Sequence, residues 1–350
     1  MKWNLRRSPN VAIVGCTGAV GRELIRLLEE RSPVFGNVRL VASENSVEKS
    51  FRLNGEAHAV AGLAGHDFTT TDIAFFAVGA ETSEEFVPRA VREGCLVIDK
   101  SAAFRMKPEC PLIVPQVNAH EMAERPASNI IASPNCSTIP LVRALAPIHA
   151  AIGVRSVVVS TYQAASGVGL ACIDDLVEDT RSVLDCGETG RQSRFPRPLA
   201  FNVVPQIDVF CSDGFTLEER KLVVESRKIL GEPNLAVTAT TVRVPVINGH
   251  SEAAYVECAR PTSREEIIET LRTAAGLVVE GNYEQYATPR FMPDPNAISI
   301  GRIRMNTDDP CGVWMWLVAD NLRTGAALNA LEIAELALKL SNPLDLRSRS

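Results

Sequence analysis

A cysteine at the start of a helical pattern, and a histidine close after an arginine in a glycine-containing connection, are the residues of this chain best placed for covalent chemistry. Ser133-Pro134-Asn135-Cys136-Ser137-Thr138 follows an apolar run and leads into a helical pattern over residues 139–146. A thiol there meets free N–H groups and the positive end of the helix dipole, which favours the thiolate and makes Cys136 a candidate nucleophile. The alternative is a small buried hydrophobe, the reading kept for the other eight cysteines at 16, 95, 110, 172, 186, 211, 258 and 311. No two cysteines form a CxxC pair, so neither a zinc site nor any other metal centre is expected. His250 stands in Asn248-Gly249-His250-Ser251-Glu252, read as a turn between strands, shortly after Arg243-Val244-Pro245-Val246. An arginine and a histidine on such a connection suit an anion site with a general acid–base. His149 falls in an apolar helical pattern, whereas His58, His66 and His120 lie in polar stretches and read as solvated.

The second chemical signal is Gly15-Cys16-Thr17-Gly18-Ala19-Val20-Gly21, directly after the first apolar run and at the opening of the first helical pattern. Glycines at this spacing permit a tight turn and close approach of backbone N–H groups to a pyrophosphate, with the helix N-terminus adding its partial positive charge. The residues expected after the second strand choose the coenzyme. Ser43 and Ser46, with Lys49 beyond, suit a 2′-phosphate, while Glu44 suits a free 2′-hydroxyl.

These groups need a scaffold. Short apolar runs at 11–14, 38–42, 73–78, 95–98, 112–114 and 130–132 read as strands buried on both faces, with helical patterns at 20–31 and 83–93 between some of them. Strand–helix alternation implies a doubly wound parallel sheet. After about residue 135 the strands lengthen and alternate, at 154–162, 236–246, 252–259 and 313–320, with helices expected at 171–184, 216–230 and 263–279. That texture predicts an antiparallel or mixed sheet covered on one face. A last helix at 325–340 is long enough to dock back on the first domain, and the tail 343–350 is polar and expected to fray.

At 350 residues the chain suggests two domains. With 46% hydrophobic and 22% charged residues it is not a disordered, collagenous or coiled-coil chain. The balance of 36 basic against 42 acidic side chains, net −6, argues against a nucleic-acid or membrane-surface partner. No apolar run approaches the ~18 residues of a membrane span, and the N-terminus lacks a secretory apolar core. A cytoplasmic protein is expected.

The segments GCTGAVG, DKSAAFRM, SPNCST, YQAASGVG, FPRPLAFNVVPQIDVF, RVPVINGHSEA and DNLRTGAALNALEIAE, in order between about residues 11 and 340, resemble the aspartate-semialdehyde dehydrogenases. The resemblance implies an α/β protein with an N-terminal Rossmann-type doubly wound parallel sheet, an α+β catalytic and dimerisation domain, and a C-terminal helix returning to the first domain. The expected division is 1–134 with 324–350 against 135–323. The implied reaction is NADPH-dependent reduction of L-4-aspartyl phosphate to L-aspartate 4-semialdehyde and phosphate, in lysine, methionine, threonine and diaminopimelate biosynthesis. By this resemblance Cys136 is the acyl-carrying nucleophile, Gln163 orients the substrate and His250 transfers protons. Arg243 holds the α-carboxylate, Glu218 the amino group, Arg105 and Lys221 the phosphate, and Asn135 adds a substrate contact. Gly15, Thr17, Gly18, Ala19, Val20, Ser43, Ser46, Ser166, Gly167 and Asn321 are the expected contacts of NADP, with NAD also usable. A homodimer or dimer of dimers is expected.

The chain departs from the family pattern where Lys100 replaces Asn, Gln116 replaces Glu and Asn45 replaces Arg. The runner-up is N-acetyl-γ-glutamyl-phosphate reductase, whose cysteine usually follows Gly rather than Asn135. A catalytically silent paralogue would have no reason to keep Cys136, Gln163, Arg243 and His250 together. A Cys136–His250 hydrolase would leave the Gly15–Gly21 turn unused.

Overall fold

Runs of β-branched and aromatic residues with no polar alternation make strands that must be covered on both faces, and the first third of the chain obeys that rule. The computed structural model describes residues 2–31, 35–187 and 194–342, so the expected fraying of the 343–350 tail lies outside the described residues. The chain divides into two units, Met1–Pro134 with Ala326–Ser350, and Asn135–Gly325.

The first unit carries strands β1 (Val11–Val14), β2 (Val38–Ala42), β3 (Ser50–Leu53), β4 (Glu56–Gly62), β5 (Ile73–Phe76), β6 (Leu96–Asp99) and β7 (Ile130–Ala132), with helices α1 (Ala19–Arg31), α2 (Ala80–Arg92) and α3 (Pro115–Asn118). Their order is β3-β4-β2-β1-β5-β6-β7, all pairs parallel except the β3–β4 hairpin. Because β2 and β5 flank β1 on opposite sides, the connections reverse there and open a crevice beyond the carboxyl ends of β1 and β5. β1, β5 and β6 are wholly buried. Residues 112–114 do not form the expected strand: Leu112 makes one isolated parallel bridge to Ala132. Pro111 and Pro115 flank the run, and Pro115 opens α3. The β3–β4 hairpin, absent from the reading above, turns on Asn54 and Gly55, both at positive φ (52° and 82°), a two-residue connection suited to the strand twist.

The second unit begins with α4 (Thr138–Ile152) and continues with β8 (Val154–Gln163), α5 (Leu170–Cys186), α6 (Leu217–Leu230), β9 (Ala236–Arg243), β10 (His250–Cys258), α7 (Arg264–Arg272), β11 (Leu277–Val279), β12 (Ile298–Met305) and β13 (Gly312–Ala319). The mixed sheet runs β11-β12-β13-β10-β8-β9. Helix α4 packs on β8, β10 and β13, α6 on β9 and α7 on β12. One apolar core joins Leu141, Leu145 and Ile148 of α4 to Val157, Val159, Ala254 and Val256 of the strands. The helix expected over 263–279 stops at Arg272, and Leu277–Val279 instead pairs with β12, which the sequence reading had missed. In α6, Thr216 and Glu219 form a reciprocal capping box, which fixes where the helix starts and thus where Glu218 points.

The C-terminal helix α8 (Leu328–Ser341) belongs to the first unit, where it packs on α1, α3 and β6. Gln116 Nε2 of α3 donates to Glu332 of α8 at 2.8 Å; a glutamate at 116 would oppose a carboxylate there.

Candidate active site

The strand register gathers the chemistry of the second unit at one edge of its sheet. Gln163 and Arg243, the last residues of β8 and β9, are directly paired. His250 opens the antiparallel β10, one position beyond the Ser251–Tyr162 pair, and is itself paired with Ala319. It therefore stands on a strand end rather than in the expected turn, which holds its ring more rigidly than a loop would.

Cys136 Sγ lies 3.4 Å from His250 Nε2. The Ala164 backbone N–H donates to His250 Nδ1 at 3.1 Å. A backbone N–H cannot accept, so Nδ1 carries no proton and the neutral ring keeps its hydrogen on Nε2, facing the sulfur. Desolvation, reinforced by the Arg243 charge, holds the ring pKa well below its usual value. One expectation is corrected: the first helical N–H groups do not cradle the sulfur. Ser137 N donates to Asn135 Oδ1, and Thr138 N and Ile139 N both donate to the Asn135 carbonyl. The sulfur instead faces the His250 Nε2–H and the positive field of Arg243.

Glu218 anchors the site. Its Oε1 accepts from Asn135 Nδ2 at 2.9 Å and Gln163 Nε2 at 3.3 Å, and its Oε2 pairs with Lys221 at 3.2 Å. Asn135 N donates to the buried Glu225 at 2.7 Å, and Gln163 Nε2 also donates to Ser137 Oγ. Asn135 is thus committed to neighbouring side chains and shapes the nucleophile turn. Lys221 Nζ is shared with Asp208 at 2.7 Å; burial depresses its pKa, but the two carboxylates outweigh that and raise it. Arg243 Nη1 donates to the Ala164 carbonyl at 2.7 Å, and burial lowers its pKa against the pull of Cys136 and Glu218. A Cβ on Gly167 would stand 2.9 Å from Arg243 Nη1 and 3.3 Å from His250 Nε2, so a larger residue here would displace the guanidinium. Ser166 Oγ is 3.0 Å from both Asn248 Oδ1 and Asn321 Oδ1, and Asn321 Oδ1 accepts from Gly249 N. Asn248, Ser137, Asp208 and Glu225 were not singled out from sequence. Ser137, Asn248 and Asp208 sit inside quoted motifs, whereas Glu225 carries no local signal.

In the first unit, Gly15 takes φ +86° at the end of β1, and a Cβ on it would meet the Ala77 carbonyl at 2.4 Å. A Cβ on Gly21 would meet the Gly15 carbonyl at 2.2 Å, so α1 can approach the turn only with glycine there. Thr17, Gly18, Ala19 and Val20 lie between them. Ser43 is exposed beyond β2 and Ser46 is buried in the following turn. Glu44 Oε1 accepts from Ala64 N at 3.1 Å, and its carboxylate packs against Gly62. Arg105 is buried, donating to the Ser133 carbonyl at 3.0 Å and the Lys100 carbonyl at 2.7 Å. His66 is half-buried, edge-on to Phe68, rather than solvated as expected.

Family models described as "Semialdehyde dehydrogenase, NAD binding domain" and "Semialdehyde dehydrogenase, dimerisation domain" match residues 10–125 and 145–324. The aspartate-semialdehyde dehydrogenase of Aquifex aeolicus is 44% identical over 332 residues, 94% of this chain and 98% of the relative. That of Legionella pneumophila is 40% identical, over 97% of this chain and 100% of the relative. A crystal structure of aspartate semialdehyde dehydrogenase II complexed with ASA from Vibrio cholerae superposes with TM-score 0.92 at 40% identity, covering 95% and 98% of the two chains. The Candida albicans enzyme solved with NADP gives TM-score 0.74 at 26% identity, covering 96% and 99%. These relatives favour the aspartyl reading over the N-acetyl-γ-glutamyl one. On a parallel nucleotide-type sheet, a cysteine–histidine site at a sheet edge and relatives this similar over nearly its whole length, the chain belongs to the aspartate-semialdehyde dehydrogenase family.

Proposed function

We propose that this protein catalyses the reversible NADPH-dependent reduction of L-4-aspartyl phosphate to L-aspartate 4-semialdehyde and phosphate, with Cys136 as the covalent nucleophile. The observation that carries the reading is the 3.4 Å approach of Cys136 Sγ to a histidine ring whose only proton faces it.

The Cys136 thiolate attacks the acyl carbon; the S–C bond forms as the C–O bond to phosphate breaks, and phosphate departs with both electrons of that bond. Arg243 is the planar fork for the substrate carboxylate, Glu218 the anion for its ammonium, and Lys221 and Arg105 the cations for its phosphate. Gln163, held by Ser137 and Glu218, orients the acyl group, and Asn135 keeps Glu218 in place. A nicotinamide cofactor supplies the hydride that reduces the thioester. The glycine turn, where any Cβ at 15 or 21 meets backbone, fits the pyrophosphate of that cofactor. Thr17, Gly18, Ala19 and Val20, with Ser43, Ser46, Ser166, Gly167 and Asn321, would be its further contacts. His250 shares its Nε2 proton with the oxyanion of the reduced, sulfur-bound carbon and keeps it as the C=O bond re-forms. Breaking the C–S bond then frees the aldehyde and returns the thiolate.

Arg243→Lys keeps the charge but loses the fork and the contact to Ala164. We expect a loss of about 2–5 kcal/mol in transition-state binding, mostly in KM for the aldehyde. Steady-state kinetics with wild-type kcat/KM would refute the bidentate role.

The reading as a whole is tested by absorbance at the nicotinamide band with aspartate semialdehyde and phosphate, NADP and NAD in parallel; no turnover with either would overturn it. NADP is the assigned coenzyme, with weakened discrimination because Asn45 stands where an arginine would grip the 2′-phosphate. The contact of Glu44 Oε1 with Ala64 N supports reading Glu44 as a loop-holding residue rather than a ribose contact. Asn45→Arg adds a charge-assisted contact worth about 1.5–3 kcal/mol and should raise the NADP/NAD ratio of kcat/KM about 10- to 100-fold. An unmoved ratio would show that other residues hold the phosphate.

The assembly is assigned as a homodimer or dimer of dimers. In its support, the open face of the second sheet carries Val158, Tyr162 and Trp314 exposed, with ring pairs Tyr162–Trp316 and Tyr255–Trp314.

A further inference from the structure

Directly beneath the catalytic edge runs a second row on the same face of the sheet: Thr241 pairs with Thr161, and Thr161 with Glu252. Glu252 is two residues from His250 on β10, so strand alternation turns both side chains to that face. Helix α4 covers it. Its sheet-facing stripe, at helical spacing, is Thr138, Leu141, Leu145, Ile148 and Ile152, and the four apolar members share a core with Val157, Val159, Ala254 and Val256. The stripe thus begins with Thr138, two residues after Cys136.

Glu252 is 1% exposed, and Thr161 and Thr138 are both 0%. Both carboxyl oxygens of Glu252 and the Oγ1 atoms of Thr161 and Thr138 lack a hydrogen-bond partner among the described residues. An ionised carboxylate so buried and unpaired is far costlier than a neutral one. Desolvation, with no neighbouring charge contributing, pushes its pKa well above the ordinary value. A neutral acid still presents one O–H donor and a carbonyl acceptor, and each threonine adds a donor. Buried groups of this kind are normally joined by an internal water with two to four polar partners.

We propose that Glu252 is a positioning residue, a protonated acid that shares an internal water with Thr161 and Thr138 and so holds the Cys136–Thr138 turn, and with it the sulfur, against His250. The turn is then clamped from two sides, Ser137 by Gln163 at the catalytic edge and Thr138 by Glu252 from beneath. Neutrality also matters electrically. A buried anion two residues from His250 would stabilise an imidazolium and spoil the neutral ring that the Ala164 contact selects.

The proposal rests on Cys136 as the nucleophile, and its test therefore pairs turnover with the rate of Cys136 alkylation by iodoacetamide, which needs no substrate. Glu252→Ala should lower kcat and the alkylation rate together, about 10- to 100-fold, with KM little changed. Glu252→Gln, a neutral isostere, should restore both to within about threefold of wild type. Infrared difference spectra at neutral pH should show the carbonyl stretch of a protonated carboxylic acid in wild type and lose it in Glu252→Gln. Thr161→Val, which keeps the side-chain shape, should cost about three- to tenfold in the same two rates and serves if Glu252→Ala does not fold. Wild-type kcat and alkylation rate in Glu252→Ala or in Thr161→Val would overturn the proposal. So would an ionised Glu252 in the infrared spectrum, or a Gln variant as impaired as the Ala variant.

Discussion

Cys136→Ser should fold as wild type and turn over roughly 10⁴–10⁶ times more slowly. The size follows from the proton inventory. A serine hydroxyl needs a base to become a nucleophile, and the one imidazole beside it cannot serve: Nδ1 is taken by the Ala164 N–H and Nε2 already carries the proton. A thiol escapes this limit because a fraction is thiolate near neutral pH, and that thiolate accepts the Nε2–H. Folding should survive, since Sγ→Oγ is a small change at a half-buried position. The measurements are a quenched-flow burst of phosphate release, absent in the variant, and peptide mapping after brief alkylation of the wild type. Cys136 should be labelled first. Burial pushes Cys16, Cys95 and Cys258 up to about 11, 12 and 11, which leaves them almost wholly protonated. Among the cysteines whose side chains are described, Cys211 and Cys311 are partly exposed and are the competitors. Labelling at either with full loss of activity, and none at Cys136, would remove Cys136 from the role.

His250→Asn should lower kcat by about 10²–10⁴ while KM for the aldehyde stays within a few-fold, because the ring moves a proton and does not grip substrate. Its pKa lies well below the ordinary 6.5, so the ring stays neutral through mildly acidic pH and His250 adds no limb of its own near 6.5 to the wild-type rate profile. The same depression has a sign for stability. Below pH ~6.5 the unfolded chain takes up a proton that the folded ring refuses, so folding weakens as pH falls through that range. Denaturant titrations at pH 5 and pH 7 should show a larger drop for wild type than for His250→Asn. Equal drops, or an effect of the substitution on KM alone, would mean that the ring is neither desolvated nor a proton donor.

The individual chemical groups were legible in the chain because each rests on short-range spacing. Gly15, Gly18 and Gly21 between an apolar strand and an amphipathic helix imply a nucleotide turn, and backbone sterics at 15 and 21 admit nothing larger. SPNCST and INGHSE mark the reactive pair in the same local way, and the change from short apolar runs to long alternating strands near residue 135 announces two different sheets. What local spacing cannot carry is register. That Gln163 and Arg243 end adjacent strands while His250 begins a third at the same edge depends on pairings eighty or more residues apart in sequence. Asp208 and Glu225 matter only because α6 docks where its capping box starts it. The helix expected through residue 279 became a strand because β12 offered Leu277–Val279 a parallel partner, and tertiary pairing outweighs intrinsic preference over three residues. The source of thiolate stabilisation was likewise decided by the folded chain. Sequence pointed to the helix N-terminus, but Asn135 takes the Ser137, Thr138 and Ile139 N–H groups, and long-range pairing brings the His250 ring and the Arg243 charge beside the sulfur.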